Sequence, residues 1–569
     1  VPAPYTVADY LLDRLAELGV EHVFGVPGDF TLGFLDHVDA HPRLEWVGTA
    51  NELGAGYAAD GYARMRGLGV VCTTFGVGEL SAINAVAGSY AEHVPLLDLV
   101  GAPATTTQAA ARPTHHSLGD GDFGHTLRMT AEVTVAQAAL TAQGAEAEVD
   151  RVLSAIVAQG RPGYLSLPID VAEAPAQRPA APLAARTHPS DPDALARFTT
   201  AARALLDGAA PPVVLADVLV QRAGAQEELH ALLGRGGLRY SSLLWGRRVI
   251  DESGPGFVGT YVGAASEPAV LEAIEGAERI VTAGVMFTDL ISGFFSERLD
   301  EARRIDLLPH VAVVAGTAFE DVELADALTA LTEIVAPAPA PPPPGQAFGD
   351  LSTTTVLRSP NAPAADGDAV LTQAALWDAV AAALAPGDLV LADQGTSFYG
   401  LGPHHLPHDA VFLGQPLWAS IGYTLPAILG AAIAAPQRRP VLLIGDGAAQ
   451  LTIQELGTLL RRRIPAIVVV VNNAGYTVER AIHGPTKAYN DIAPWRWTAL
   501  PAALGAQDDA VRSVRVQTVG ELVGALARAR AESDRLTLVE AVTDPLDVPP
   551  LLVAVAAAAA AANAPKPQP

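Results

Sequence analysis

The stretch Gly445–Asn473, GDGAAQLTIQELGTLLRRRIPAIVVVVNN, decides the fold. A short apolar run, Val441–Ile444, stops at Gly445-Asp446-Gly447, and leucines 451, 456, 459 and 460 follow at helix-compatible spacing. Ile464-Pro465 then restarts the chain into the β-branched run Ile467–Val471, which stops at Asn472-Asn473. This reads as strand, helix, strand, with polar residues at the exit of each strand. In a parallel sheet those exits lie side by side, on the edge where ligands bind. Asp446 and Asn473 are therefore expected to converge. Gly447 permits close backbone approach, and free N–H groups at the helix start suit an anion. A carboxylate and an amide beside such a turn suit a diphosphate held through a hard divalent cation. Taken alone, Gly-Asp-Gly is ordinary loop punctuation; paired with Asn-Asn after a second buried strand it points to metal plus phosphate.

The bulk composition sets outer limits. A chain of 569 residues is too long for one core and suggests three or four domains at roughly 150 residues each. Half of it is hydrophobic, so burial is ample. A net charge of −26 argues against nucleic acid and anionic membrane surfaces as partners. The single cysteine, Cys72, lies in an apolar run and excludes an internal disulfide framework or a thiolate metal site. VPAPYTVADY at the start lacks the basic flank and apolar core of a signal peptide, and Leu551–Ala562 is too short and alanine-rich to span a bilayer. The expectation is a soluble, cytoplasmic protein.

Outward from the opening stretch, strand and helix patterns alternate in three α/β regions, each expected as a doubly wound parallel sheet. The first covers residues 1–180: a capped helix Thr6–Leu18, strands at His22–Val26, Leu44–Gly48, Val70–Phe75, Leu96–Val100 and Tyr164–Leu167, and helices Glu52–Arg64 and Leu80–Ala91. The second, 190–335, follows a Pro/Ala-rich connector and holds strands at Pro212–Leu215, Arg239–Ser242, Arg279–Ala283, Arg304–Leu307 and His310–Val314. APAPAPPPPG at 336–345 opens a linker expected over 336–366. The third region, 367–553, contains the opening stretch, and 554–569 is an Ala-rich tail. The first and third regions share a pattern without enough identity to prove duplication.

Several residues outside that stretch have the chemistry of a site. Glu52 stands in the first turn of a helix, where the macrodipole favours an acid. Asp29 follows a Pro-Gly turn in FGVPGDF, and His115-His116 lie in THHSLGDGDF; histidine titrates near neutrality, so it suits proton transfer. Gly119–Gly124 satisfies GxGxxG, but no strand precedes it and its two acids would repel a pyrophosphate.

GDG followed by NN, together with NELGAGYAADGYAR (51–64) and THHSLGDGDF (114–123), resembles the thiamine diphosphate-dependent 2-oxo acid decarboxylases. The likeness runs from TVADYLLDRL (6–15) to VPPLL (548–552), nearest to the indolepyruvate and branched-chain 2-oxo acid enzymes, with pyruvate decarboxylase next. The resemblance implies thiamine diphosphate and Mg2+ as cofactors, and pyrimidine-binding, middle and diphosphate-binding domains. It implies sites shared between subunits of a homodimer that usually pairs into a homotetramer. Glu52 would face the pyrimidine; Asp29, His115, His116 and Glu479 would manage protons, Glu479 as a buried acid. Asp446, Asn473 and the Gly475 carbonyl would hold the metal. Gln394, Thr396, Ala419, Ile421, Gly447 and Ala448 would contact the cofactor, Ile421 bending it. Ala419 stands where glycine is more usual, and Leu219-Val220 carry no thiol where yeast-type enzymes have a regulatory cysteine.

Phe398, Tyr399, Val478 and Val555 would line the substrate pocket. Val478 replaces the isoleucine of pyruvate-specific relatives, so larger branched-chain or aromatic 2-oxo acids are expected over pyruvate, while Phe398 crowds the space indolepyruvate needs. The rivals are a pyruvate decarboxylase, a thiamine carboligase of the acetolactate synthase type, and a non-catalytic protein that kept the fold.

Overall fold

The computed structural model describes residues 4–183, 189–336, 367–507 and 509–563. All but the first residue of the expected linker lies outside them. Three sheets account for the described chain. The first runs, edge to edge, through Glu45–Gly48, His22–Gly25, Gly69–Thr74, Leu96–Ala102, Gly163–Pro168 and Gln137–Ala139, all parallel. The third runs through Val411–Leu413, Leu389–Ala392, Pro440–Gly445, Ile467–Asn472, Leu536–Val542 and Val511–Val516, again all parallel. Numbered along the chain within each sheet, both have the spatial order 2-1-3-4-6-5. The shared pattern is thus a shared topology.

The middle sheet departs from the parallel expectation at one edge. Val311–Val314 pairs antiparallel with Arg304–Leu308 and with Thr317–Glu320. Leu308 and Val311 are separated only by Pro309-His310, and a connection that short can return the chain only as a hairpin. The remaining four strands of that sheet are parallel to Arg304–Leu308 or to one another.

Helix starts follow their capping residues. Thr6 accepts from Asp9 N while Asp9 reaches back to Thr6 N, a reciprocal cap for Val7–Glu17. The helix expected after Gly447 is two pieces, Asp446–Thr452 and Glu455–Arg461, and Leu451 is exposed while Leu456, Leu459 and Leu460 are buried. The break at Ile453-Gln454 re-aims the second piece so that its leucines face the core. At the other end, helix Pro550–Asn563 crosses the expected boundary at 553, because Leu551, Leu552, Val555 and Ala559 are all buried. Among the described residues no helix is long and apolar enough to cross a membrane, and Cys72 is buried.

Two apolar cores are shared between domains. One joins the first and third sheets through helices Glu52–Arg66 and Thr424–Ala434. The other joins the middle and third sheets and includes Phe398, Tyr399, Leu551 and Val555. In the first, two glycines let the helix backbones touch: a Cβ on Gly61 would lie 2.1 Å from Ala427 O, and one on Gly430 1.8 Å from Ala58 O. Gly430→Ala should therefore cost about 3 kcal/mol in denaturant unfolding. Gly524→Ala, on the exposed face of helix Val519–Ala531 with nothing within 4 Å of the new methyl, should instead gain about 1 kcal/mol; equal effects would refute the packing argument.

Candidate active site

The first half-site is built on the exits of the first sheet. Asn51 Oδ1 accepts from Gly54 N at 2.6 Å, which starts the helix at Glu52. Glu455 Oε1 accepts Ala50 N at 2.9 Å and pins the segment just before it to the third domain. The turn Gly76-Val77-Gly78 lies between the two groups that matter. A Cβ on Gly78 would sit 3.5 Å from Glu52 Oε1, and one on Gly76 1.8 Å from the His116 carbonyl. Gly76 also has φ +65°, so both space and conformation demand glycine there.

Asp29, His115 and His116 converge as expected. His115 Nε2 lies 2.8 Å from Asp29 Oδ2 and His116 Nε2 3.8 Å from Asp29 Oδ1. Phe30 stacks on His115 at 5.1 Å, and the edges of Phe30 and Phe75 flank His116. Beneath them is a residue the sequence reading passed over. Glu79 is fully buried, accepts Gly76 N at 2.6 Å and Tyr164 OH at 2.9 Å, and has its pKa raised by burial. It ties the turn that touches Glu52 and His116 to the sheet. The signal was present as an acid at the third position of a helix after a glycine turn. The adjacent Gly119–Gly124 segment is an exposed turn in which Asp120 pairs with His125 and Asp122 with Arg128.

The second half-site is the opening stretch. Gly445 and Val471 are in register on parallel neighbours, which brings Asp446 and Asn473 together. Asp446 is 2% exposed, with Oδ1 accepting Gly447 N at 2.8 Å and Oδ2 accepting Gly475 N at 3.2 Å. Burial pushes its carboxyl up to about 6, against those hydrogen bonds. In the orientation that satisfies both ends of its amide, Asn473 donates to Gly475 O at 2.9 Å and Asp446 Oδ1 at 3.1 Å and accepts from Thr477 Oγ1 at 3.0 Å. A half-turn of that amide would set its oxygen beside those of Asp446 and Gly475, a donor set suited to Mg2+. A methyl on Gly475, at φ +136°, would meet Asn490 O at 2.1 Å. Arg480 fastens the loop through the carbonyls of Asn473 and Ala474 and through Asp491. Ala448 and Thr396 are buried nearby, and Gln394 Oε1 and Ser397 Oγ are buried without partners, polar atoms a cofactor could satisfy.

The segment Gln415–Thr424 bridges the domains. Glu92 Oε1 accepts Leu417 N and Trp418 N, and Ser420 Oγ meets Tyr57 OH at 2.6 Å. Ala419 has φ +54°, the region glycine prefers. Ile421 packs partly buried on the shared core. Buried Asp393 clamps this segment to the Gln394 loop, accepting Gly422 N at 3.0 Å, Thr424 N at 3.1 Å and Thr424 Oγ at 2.6 Å.

Of the expected pocket residues, Phe398 is fully buried against Phe412, and Tyr399 OH accepts Gln394 Nε2 at 3.1 Å. Val478 lies 3.7 Å from a Cβ placed on Gly395, and Val555 is buried on the last helix. Glu479, expected as a buried acid, is instead exposed, because the first turn of helix Thr477–His483 buries Thr477 and turns Glu479 outward. Among the described residues no hydrogen bond or ion pair joins Asp29, Glu52, His115 or His116 to Asp446, Asn473 or Glu479.

Comparison with known proteins agrees with this geometry. The chain matches the thiamine pyrophosphate enzyme N-terminal TPP binding domain over residues 5–131, the central domain over 199–331 and the C-terminal TPP binding domain over 401–541. It is 55% identical over 552 residues to the alpha-keto-acid decarboxylase of Mycolicibacterium paratuberculosis, covering 96% of each chain. It is 54% identical over 548 residues to that of Mycobacterium tuberculosis H37Rv, again covering 96% of each. In fold it is similar to the thiamine diphosphate-dependent 4-hydroxybenzoylformate decarboxylase of Rhodococcus jostii RHA1 (TM-score 0.73, 22% identity, 95% of this chain and 99% of that one). The chain belongs to the family of thiamine diphosphate-dependent 2-oxo acid decarboxylases.

Asp393 gives the site a pH signature. Burial raises its carboxyl to about 6 from an ordinary 3.8, so the folded chain binds this proton more tightly than the unfolded chain. The resulting stability is present below the ordinary value and is lost as pH rises to about 6. Relative to Asp393→Asn, unfolding free energy should fall by about 2 kcal/mol between pH 4 and 6; parallel pH profiles for the two proteins would contradict the assignment.

Proposed function

We propose that the chain decarboxylates 2-oxo acids non-oxidatively, with thiamine diphosphate and Mg2+, releasing an aldehyde and carbon dioxide. The observation that carries the reading is the Asp29–His115–His116 cluster, separated from Glu52 only by the Gly76–Gly78 turn. It puts proton-transferring groups beside the acid that would engage the cofactor's pyrimidine ring. When bound, the cofactor supplies an electron sink for the pair left behind as carbon dioxide departs.

The chain's own residues do the rest. Asp446, Asn473 and the Gly475 carbonyl would hold the metal, and through it the diphosphate. Gly447, Ala448, Gln394 and Thr396 would contact the cofactor, while Ala419 and Ile421 would fix its conformation from the segment braced by Asp393 and Glu92. Glu52 would share a proton with the pyrimidine ring. His115, oriented by Asp29 at 2.8 Å, and His116 would deliver the proton that replaces the lost carboxyl group. Glu479 would act near the substrate carboxylate once its exposed position is covered.

The exposure of Glu479, and the lack of any bond between the named groups of the two half-sites among the described residues, support a site completed by a second chain; we take a homodimer as the minimal unit, with a cytoplasmic homotetramer as the assembly. The preferred substrates would be branched-chain and aromatic 2-oxo acids. Val478, one methylene smaller than isoleucine, favours them by about 1 kcal/mol. Phe398, held against Phe412 at 5.8 Å, limits the space for an indole. An aldehyde-coupled panel of 2-oxo acids tests the proposal. Wild type should prefer substrates larger than pyruvate, Val478→Ile should move the ratio about fivefold toward pyruvate, and Glu52→Gln should lose nearly all turnover. A wild-type profile dominated by pyruvate would contradict the substrate class, and near-normal turnover in Glu52→Gln would remove it from the chemistry.

A further inference from the structure

Adjacent residues on an ordinary extended backbone point their side chains apart. His115 and His116 do not, because His116 takes φ +67°, a conformation uncommon for a residue with a side chain. With that turn the two imidazoles come to 4.6 Å between ring centroids, on the same side as Asp29. One ligand atom from each of Asp29, His115 and His116 lies within 4.8 Å of the others. Phe30 stacked on His115, aromatic edges against His116, and the His116 backbone seated on Gly76 hold them there.

We propose that this cluster is a transition-metal site that takes Zn2+ and ions like it, and that the bound ion reversibly blocks the 2-oxo acid. The inhibitory part rests on the function proposed above; the binding part does not. Two imidazoles and a carboxylate suit Zn2+, Co2+ or Ni2+ rather than Mg2+, which keeps to oxygen ligands. In a tetrahedral zinc site with bonds of about 2.1 Å the ligand atoms stand roughly 3.4 Å apart. One atom from each residue already lies within 4.8 Å of the others, and the two imidazoles stand 2.8 Å and 3.8 Å from the two oxygens of the Asp29 carboxylate, so side-chain rotations of about an ångström would bring both onto one ion. The side chains are 60%, 50% and 30% exposed for His115, Asp29 and His116. A hydrated ion can therefore reach them in the single chain, and in the assembled enzyme by the route that admits the 2-oxo acid; water can keep the remaining coordination position. An ion so held uses the nitrogens and the oxygen that proton delivery requires.

The test is titration of the holoenzyme, saturated with thiamine diphosphate and Mg2+, with Zn2+ by calorimetry and with Co2+ by its visible absorption. Wild type should bind one ion per chain that Mg2+ does not displace, with the intense bands of tetrahedral Co2+. Asp29→Asn and the double variant His115→Asn/His116→Asn should each bind it at least about 100-fold more weakly. Zn2+ should slow wild-type turnover competitively with the 2-oxo acid, and a chelator added with excess Mg2+ should restore it. No second ion in wild type, or undiminished binding in both variants, would overturn the proposal. Binding in a protein that decarboxylates nothing would leave the metal site standing and remove the functional reading; turnover without zinc binding would do the reverse.

Discussion

A carboxylate sealed from water is the constraint around which the third domain is arranged. Asp446 is buried, accepts the backbone N–H groups of Gly447 and Gly475, and lies beside the Asn473 amide. Burial works against its charge and raises its carboxyl to about 6 despite those hydrogen bonds, so a cation bound beside it would be stabilising. The parallel register of Pro440–Gly445 with Ile467–Asn472 creates this arrangement, and the left-handed Ala474-Gly475 bend and Arg480 hold its groups together. The metal diphosphate proposed to bind there would balance that charge.

The groups proposed to transfer protons sit on a frame of their own. Close contact of helices Glu52–Arg66 and Thr424–Ala434 through Gly61 and Gly430 locks the first domain to the third. Within the chain, Glu455 fastens the approach to Glu52, and Glu79 fastens the turn next to it. Neither acid is among the groups proposed to react, yet both hold the segments beside Glu52 and His116. The same frame leaves Glu52 and Asp446 without a direct link in one chain, and leaves Glu479 exposed. Two frames brought face to face would supply each half with its complement.

Much of this was legible in the sequence because it depended on local rules. Strand exits, the Asn51 cap and the Gly445–Asn473 unit each announce themselves by periodicity or by a capping residue, and the structure places them within a few residues of expectation. What was not legible depended on distant partners. Nothing near Leu451 says that the helix breaks at Ile453 and leaves that leucine in solvent. The burial of Glu79 depends on Tyr164, and that of Asp393 on Thr424. The exposure of Glu479 follows from Thr477 and Arg480 taking the buried side of their short helix, and the left-handed backbone at Ala419 and His116 belongs to the loops that carry them. Residue identity could be read from motifs; the state of each residue needed the packing.

Mixing two inactive proteins addresses the shared site most directly. Glu52→Gln damages the first half-site and Asp446→Ala the second. If each site takes its halves from different chains, random exchange of subunits makes about half the dimers mixed, each with one undamaged site and one doubly damaged. Activity should then return to about a quarter of wild type. A mixture no more active than its separate components, after subunit exchange has been verified, would show that both halves of a site come from one chain.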